Sequence, residues 1–169
     1  MLKFKLDHLG VVRLLLGHGA MVNMQVEAGT FGTALIAAVL RGNVELVQLL
    51  LESGADVNMQ ARAGYDASQF IASVNSRAKP QLIQLLLDSG ADVNVQVRIG
   101  RFGNALMAAL HNASFEVIQM VLEAGADVHA QLQIGPRNIM WAVYQDIRLQ
   151  ENEPIRELLL KYGATLHIG

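Results

Sequence analysis

Cysteine is absent from all 169 residues, so the chain has no disulfide framework, no thiolate metal ligand and no thiol nucleophile. Charge is sparse as well. Only 17% of residues are Asp, Glu, Lys or Arg, and the formal net charge is −2. A balance so near neutral gives no electrostatic reason to expect a nucleic acid partner. Long apolar runs are missing too: the mean hydropathy is +0.31, yet no run reaches the ~18 residues of a membrane span, and no membrane insertion is expected. The N-terminal stretch MLKFKLDHLGVVRLL interleaves Lys3, Lys5, Asp7 and Arg13 with apolar residues, which is not the h-region of a secretory leader. What remains is 52% hydrophobic and long enough to bury an ample core. An intracellular, cytoplasmic setting is the plain expectation.

What the chain does have is repetition. VELVQLLLESGADVNMQ (Val44 to Gln60) is echoed by VVRLLLGHGAMVNMQ from Val11, LIQLLLDSGADVNVQ from Leu82, VIQMVLEAGADVHAQ from Val117 and IRELLLKYGATLHIG from Ile155. The Gly-Ala pairs of these copies begin at Gly19, Gly54, Gly90, Gly125 and Gly163, in steps of 35, 36, 35 and 38 residues. Self-similarity at a near-fixed period of this size marks a stack of supersecondary units.

Each copy reads as a helix with a stop built in. From Val44 to Ser53 the wet positions are Glu45, Gln48 and Glu52, a narrow stripe at i, i+3 and i+7. The rest is apolar, so the helix must lie between neighbours. Gly54 falls where the helix ends, and glycine accepts the left-handed conformation of a C-terminal cap.

Between the copies lie four links, VEAGTFG, ARAGYDA, VRIGRFG and LQIGPRN, each with a central glycine: Gly29, Gly64, Gly100 and Gly135. Two short arms around a glycine describe a β-hairpin or turn projecting from the stack. The residue opening the next helix is Thr33, Ser68, Asn104 or Ile139, and the first three are good N-caps. Small-residue helices follow at Ala34, Gln69, Ala105 and Met140, with Ala37-Ala38 recurring as Ala72-Ser73 and Ala108-Ala109. Length differences fall between elements, around Arg77 to Pro80 and in Asp146 to Pro154, where Glu151, Glu153 and Pro154 suggest a polar break.

The order hairpin, short helix, turn, longer helix, then G-A-D-V-N resembles the ankyrin repeat. LLLESGADVN and LLLDSGADVN are highly specific for that family. The resemblance covers essentially the whole chain as one domain: a half repeat at 1–25, then repeats at 26–60, 61–96, 97–131 and 132–169. The family's T-P-L-H helix opening is altered to Thr33-Ala34-Leu35-Ile36 and Asn104-Ala105-Leu106-Met107, so its proline and histidine are missing. Helices opening in this way are similar to a variant found in filamentous-fungal signalling proteins, where ankyrin arrays often follow an NTPase module. The resemblance implies an all-α solenoid with short hairpin turns and no catalysis. It implies a partner protein or peptide bound on the concave face of hairpins and first helices.

Residues that vary between units on that face are the candidate contacts: Phe31, Arg62, Tyr65, Asp66, Arg98, Arg101, Phe102 and Arg137 in the links, with Arg41, Asn75 and His111 along the first helices. Aromatics and arginine anchor interfaces, and a row of arginines suits an acidic peptide. The plainer alternative is that the aromatics pack against the next hairpin and the arginines only solvate the edge. A different role would be a structural, self-associating segment of a longer array in a multidomain signalling protein. A terminal unit needs a polar outer face, and Leu2, Phe4, Leu6 and Leu9 do not supply one, so the apolar ends would be stacking faces.

Neither metal nor cofactor is expected. His8, His18, His111, His129 and His167 form no short-range pair. His129 and His167 stand where Asn23, Asn58 and Asn94 stand, positions expected to bond loop backbone, and Asp56, Asp92 and Asp127 recur as loop-shaping residues. Glu45, Glu52, Asp88 and Glu123 fall on the helix surface, away from any acid–base pairing. Trp141, Met107, Met120 and Met140 fall on core positions. Arg156 falls on a normally buried position, that of Val47, which points to a last unit that acts as a cap or is remodelled.

Overall fold

The computed structural model describes residues 8–26, 31–61, 68–75, 79–97, 102–112, 115–130 and 152–164. Among them are eight helices and no strand. The longer, Gly-Ala-terminated helices are α1 (His8–Gly17), α3 (Val44–Glu52), α5 (Pro80–Asp88), α7 (Phe115–Glu123) and α8 (Glu153–Lys161). The short, small-residue helices are α2 (Ala34–Leu40), α4 (Gln69–Asn75) and α6 (Ala105–Asn112).

The local causes are those of the sequence. Thr33 Oγ1 accepts from the Ile36 amide at 3.1 Å, Ser68 Oγ from Ile71 at 3.5 Å and Asn104 Oδ1 from Met107 at 2.9 Å. All three caps are buried, where a free amide could find no water. Asn43 and Asn152 cap α3 and α8 in the same way. At the other end, Gly54 adopts φ +86° and Gly90 φ +83°. The Ala55 amide then reaches back to the Leu50 carbonyl, and that of Ala91 to Leu86, closing each helix with a left-handed cap.

Each short helix packs on the long helix that follows it, α2 on α3, α4 on α5 and α6 on α7. These pairs stack. The short helices form one row, α2 on α4 on α6, while α1 packs on α3, α3 on α5 and α7 on α8. One apolar cluster runs from Leu35 to Ala164 through α2 to α8, with Val12 and Leu16 of α1 packed half-buried against it. Its centre is dry: Ile36, Ile71, Leu82, Ile83, Leu86 and Ile118 have almost no exposure, and each such side chain contributes about 2 kcal/mol of transfer free energy. Ala38, Ala72, Ser73, Ala108 and Ala109 are buried along the short-helix row, where small side chains let the backbones approach. Ser73 Oγ bonds the Phe70 carbonyl at 2.7 Å, which lets a hydroxyl lie inside. Met107 and Met120 pack half-buried against the cluster, whereas Trp141 and Met140 lie outside the described residues.

Two expectations need revision. Glu153 and Pro154 are not part of a break: they open α8, with Asn152 as cap and the proline in the first turn. Proline lacks only an amide that the first turn leaves unused anyway, and Pro80 opens α5 by the same means. The imidazole of His129 makes no hydrogen bond to the described residues of the following loop, Gly163 included, although its amide does bond Asp127. A ring cannot copy the spacing of an amide's oxygen and nitrogen. Arg156 behaves as its position suggested: its side chain is 37% exposed and ion-paired with Glu153 at 3.2 Å, whereas Val47, Ile83 and Ile118 are fully buried at that place.

Candidate partner-binding face

The loops that end the long helices set the spacing of everything projecting beyond them. Asp56 Oδ1 accepts from the Asn58 amide at 2.8 Å, and Asp92 and Asp127 do the same for Asn94 and His129. Each loop is thereby folded on itself. Asn58 then reaches the next loop twice. Its Nδ2 donates to the Gly90 carbonyl at 2.9 Å and its Oδ1 accepts from the Asp92 amide at 2.8 Å. Asn23 holds Gly54 and Asp56 in the same way, and Asn94 holds Gly125 and Asp127. Only a side chain with both donor and acceptor can do this, which is why asparagine rather than aspartate stands there. A second ladder runs beside it, from Gln25 Nε2 to the Gln60 carbonyl at 3.2 Å and from Gln60 Nε2 to Gln96 at 3.5 Å.

These ladders fix where the links begin. The base of the first link is closed by the Val26 amide donating to the Gly32 carbonyl at 3.1 Å, and that of the third by Val97 to Gly103 at 3.0 Å. Phe31 and Phe102 stand next to those closures, on the way into α2 and α6.

Four candidate contacts have described side chains, and they fall into two couples. The Arg41 guanidinium, at the C-cap of α2, lies 5.9 Å from the ring centre of half-buried Phe31. Such stacking contributes about 0.5–1 kcal/mol at an exposed site and holds the guanidinium without neutralising it. Arg41 is exposed and forms no ion pair with any described carboxylate. In the third link, Phe102 is 9% exposed and its ring centre is 5.2 Å from that of exposed His111. Phe102 thus offers little surface of its own and serves as a seat for the imidazole.

The side chain of Asn75, in the last turn of α4, and all of Arg62, Tyr65, Asp66, Arg98, Arg101 and Arg137 lie outside the described residues. Sequence reasoning missed the Gln25, Gln60 and Gln96 ladder, although the period itself carried the signal: glutamine follows each loop asparagine by two residues. It also missed the surface clasps Gln48–Glu52, Gln84–Asp88 and Gln119–Glu123, with amide-to-carboxylate distances of 2.7–2.9 Å. No group of three His, Cys, Asp or Glu among the described residues could hold a metal ion, and no described helix is long and apolar enough to cross a membrane.

Stacked helix pairs joined by hydrogen-bonded loops define a repeat solenoid. The family model described as ankyrin repeats (3 copies) matches residues 3–61, about a third of the chain, and the helix order and loop chemistry of that segment continue beyond it. A search of the curated proteins found no match. Ankyrin repeats are generally protein–protein interaction modules and typically non-catalytic.

Proposed function

We propose that the chain is a non-catalytic binding module that takes an acidic segment of a partner protein on the face built from the links and the short helices. The observation that carries this reading is Arg41, an exposed guanidinium stacked on Phe31 with no described carboxylate to pair with. A stacked guanidinium loses less side-chain freedom on binding than a free one, and it presents a planar fork to a carboxylate. His111 on Phe102 supplies a second polar group on a ring along the same row of helices. Arg62, Arg98, Arg101 and Arg137 would add positive charge to the links between them.

The test compares Arg41→Ala with Lys161→Ala. Lys161 is also an exposed cation over an aromatic ring, 5.6 Å from the centre of Tyr162, but it belongs to α8, among the long helices. Binding of a labelled glutamate-rich peptide, followed by fluorescence anisotropy, is expected to weaken about tenfold in Arg41→Ala, a loss of about 1.4 kcal/mol, and to change little in Lys161→Ala. Equal losses in both variants would reduce the effect to general charge, and no binding by the parent chain would refute the acidic partner.

A further inference from the structure

On the row of short helices, exposure is concentrated at the C-terminal ends. In α2, Leu35 to Leu40 is buried or half-buried and Arg41 just beyond is exposed; in α6, Ala105 to Leu110 is buried or half-buried and His111 is exposed. Both polar groups rest on equivalent rings, because Phe31 and Phe102 each stand two residues before an N-cap, Thr33 and Asn104. Arg41 and His111 are thus two stations of one pattern, two units apart, with α4 packed between their helices. Charge is sorted around them. α2, α4 and α6 contain no Asp, Glu, Lys or Arg, whereas α3, α5 and α7 contain acidic residues and no Lys or Arg. Neither Arg41 nor His111 forms an ion pair among the described residues.

We propose that the acidic segment taken by this face runs extended across the short-helix row, from α2 over α4 to α6, and carries two carboxylates about six residues apart, one for Arg41 and one for His111. This rests on the reading of the face given above and adds the partner's register. The spacing follows from helix dimensions. Packed helices lie about 8–10 Å apart, so two steps along the row separate the stations by about 16–20 Å. An extended chain advances about 3.3 Å per residue, which makes that gap about five or six residues. Side chains alternate across such a chain, so only an even spacing turns both carboxylates to the same side, and about six is the even value in that range. A helical segment, rising about 1.5 Å per residue, would need about twelve residues for the same span. Each station can donate: the guanidinium presents a planar fork, and an imidazole keeps an N–H in either charge state. No carboxylate of the short helices competes for either.

Labelled peptides with two glutamates in a Ser/Thr background, at spacings from about two to about twelve residues, hold charge constant and vary only the register. Fluorescence anisotropy at one ionic strength is expected to show an affinity maximum at a spacing of about six, about tenfold above spacings of about three and nine, since those engage one station only. Arg41→Ala and His111→Ala should each flatten the profile, while Lys161→Ala, on α8, should keep it. Both stations are exposed, so folding should survive, and circular dichroism checks this. Arg41→Glu and His111→Glu give a second reading, because each should repel the same peptide. A flat profile in the parent chain, or a maximum near twelve, would overturn the register and leave the acidic partner standing. So would failure of the paired-glutamate peptides to bind a chain that does bind the glutamate-rich peptide. A maximum at six that survives loss of either station would overturn the assignment to Arg41 and His111. No binding of any of these peptides would refute the acidic partner and the register with it.

Discussion

Leu14-Leu15 in α1 and Leu49-Leu50 in α3 stand at the same steps before a Gly-Ala pair, in helices that share a Leu-Leu-Leu run. One pair is more than half exposed and the other is buried. Nothing in either helix explains the difference; the neighbours do. In a solenoid each helix contacts only what lies directly beside it, so burial belongs to the contact between elements and not to the element. The same lesson appears at the other end, where Arg156 keeps its charge in water at a place that holds fully buried Val47, Ile83 and Ile118 inside the stack.

The comparison can be broken most violently by exchanging its terms. Val47→Arg would put an unpaired charge in the interior, and a loss of about 4 kcal/mol or complete unfolding is expected in urea denaturation. The reciprocal Arg156→Val should be nearly neutral, because that position is half open. Next in size, Leu50→Ala should cost about 3 kcal/mol through lost burial and a residual cavity, whereas Leu15→Ala should stay within about 0.5 kcal/mol at concentrations too low for association. The contrast is checked by comparing urea midpoints of the two variants.

Smaller effects sharpen the account of how neighbours are held. Asn58→Ala removes both hydrogen bonds to the following loop, to Gly90 and Asp92, and should cost about 1–2 kcal/mol in thermal unfolding. The smallest change is a gain. Lys79 stands at the N-cap of α5 without a side-chain hydrogen bond, while Asn43 caps α3. Lys79→Asp should therefore stabilise the chain by about 0.5–1 kcal/mol, seen as a modest rise in Tm.

Much of this fold is legible in the sequence because its strongest signals are local and repeated. Gly54 and its counterparts mark helix ends, Thr33, Ser68 and Asn104 mark helix starts, and the Glu45, Gln48, Glu52 stripe marks the wet face; each depends on residues within a turn or two. Pro154 misled because proline reads as a breaker until its place relative to a cap is known, and here Asn152 turns it into an opening residue. The Asn58 and Gln60 ladders were harder to see, since their partners lie 32–36 residues away. Recurrence showed that the asparagine mattered, but only the stacking distance shows what it reaches. Among the candidate contacts, the pairing of Phe31 with Arg41 was not evident, because the two are ten residues apart and lie at opposite ends of α2 in the sequence. Phe102 was equally opaque: its chemistry matches that of Phe31, and its burial is decided by what the stack places over it.

The most direct measurement of the central claim, that each helix is buried by its neighbours, is native-state hydrogen exchange resolved by helix at protein concentrations too low for association. Amides of α4, α5 and α6, flanked on both sides, should show the highest protection. Those of α3 should come next, and those of α1 should exchange fastest although it carries the same Leu-Leu-Leu run. Protection in α1 equal to that in α3 under these conditions would contradict the account, because stability would then reside in the helix itself and not in the stack.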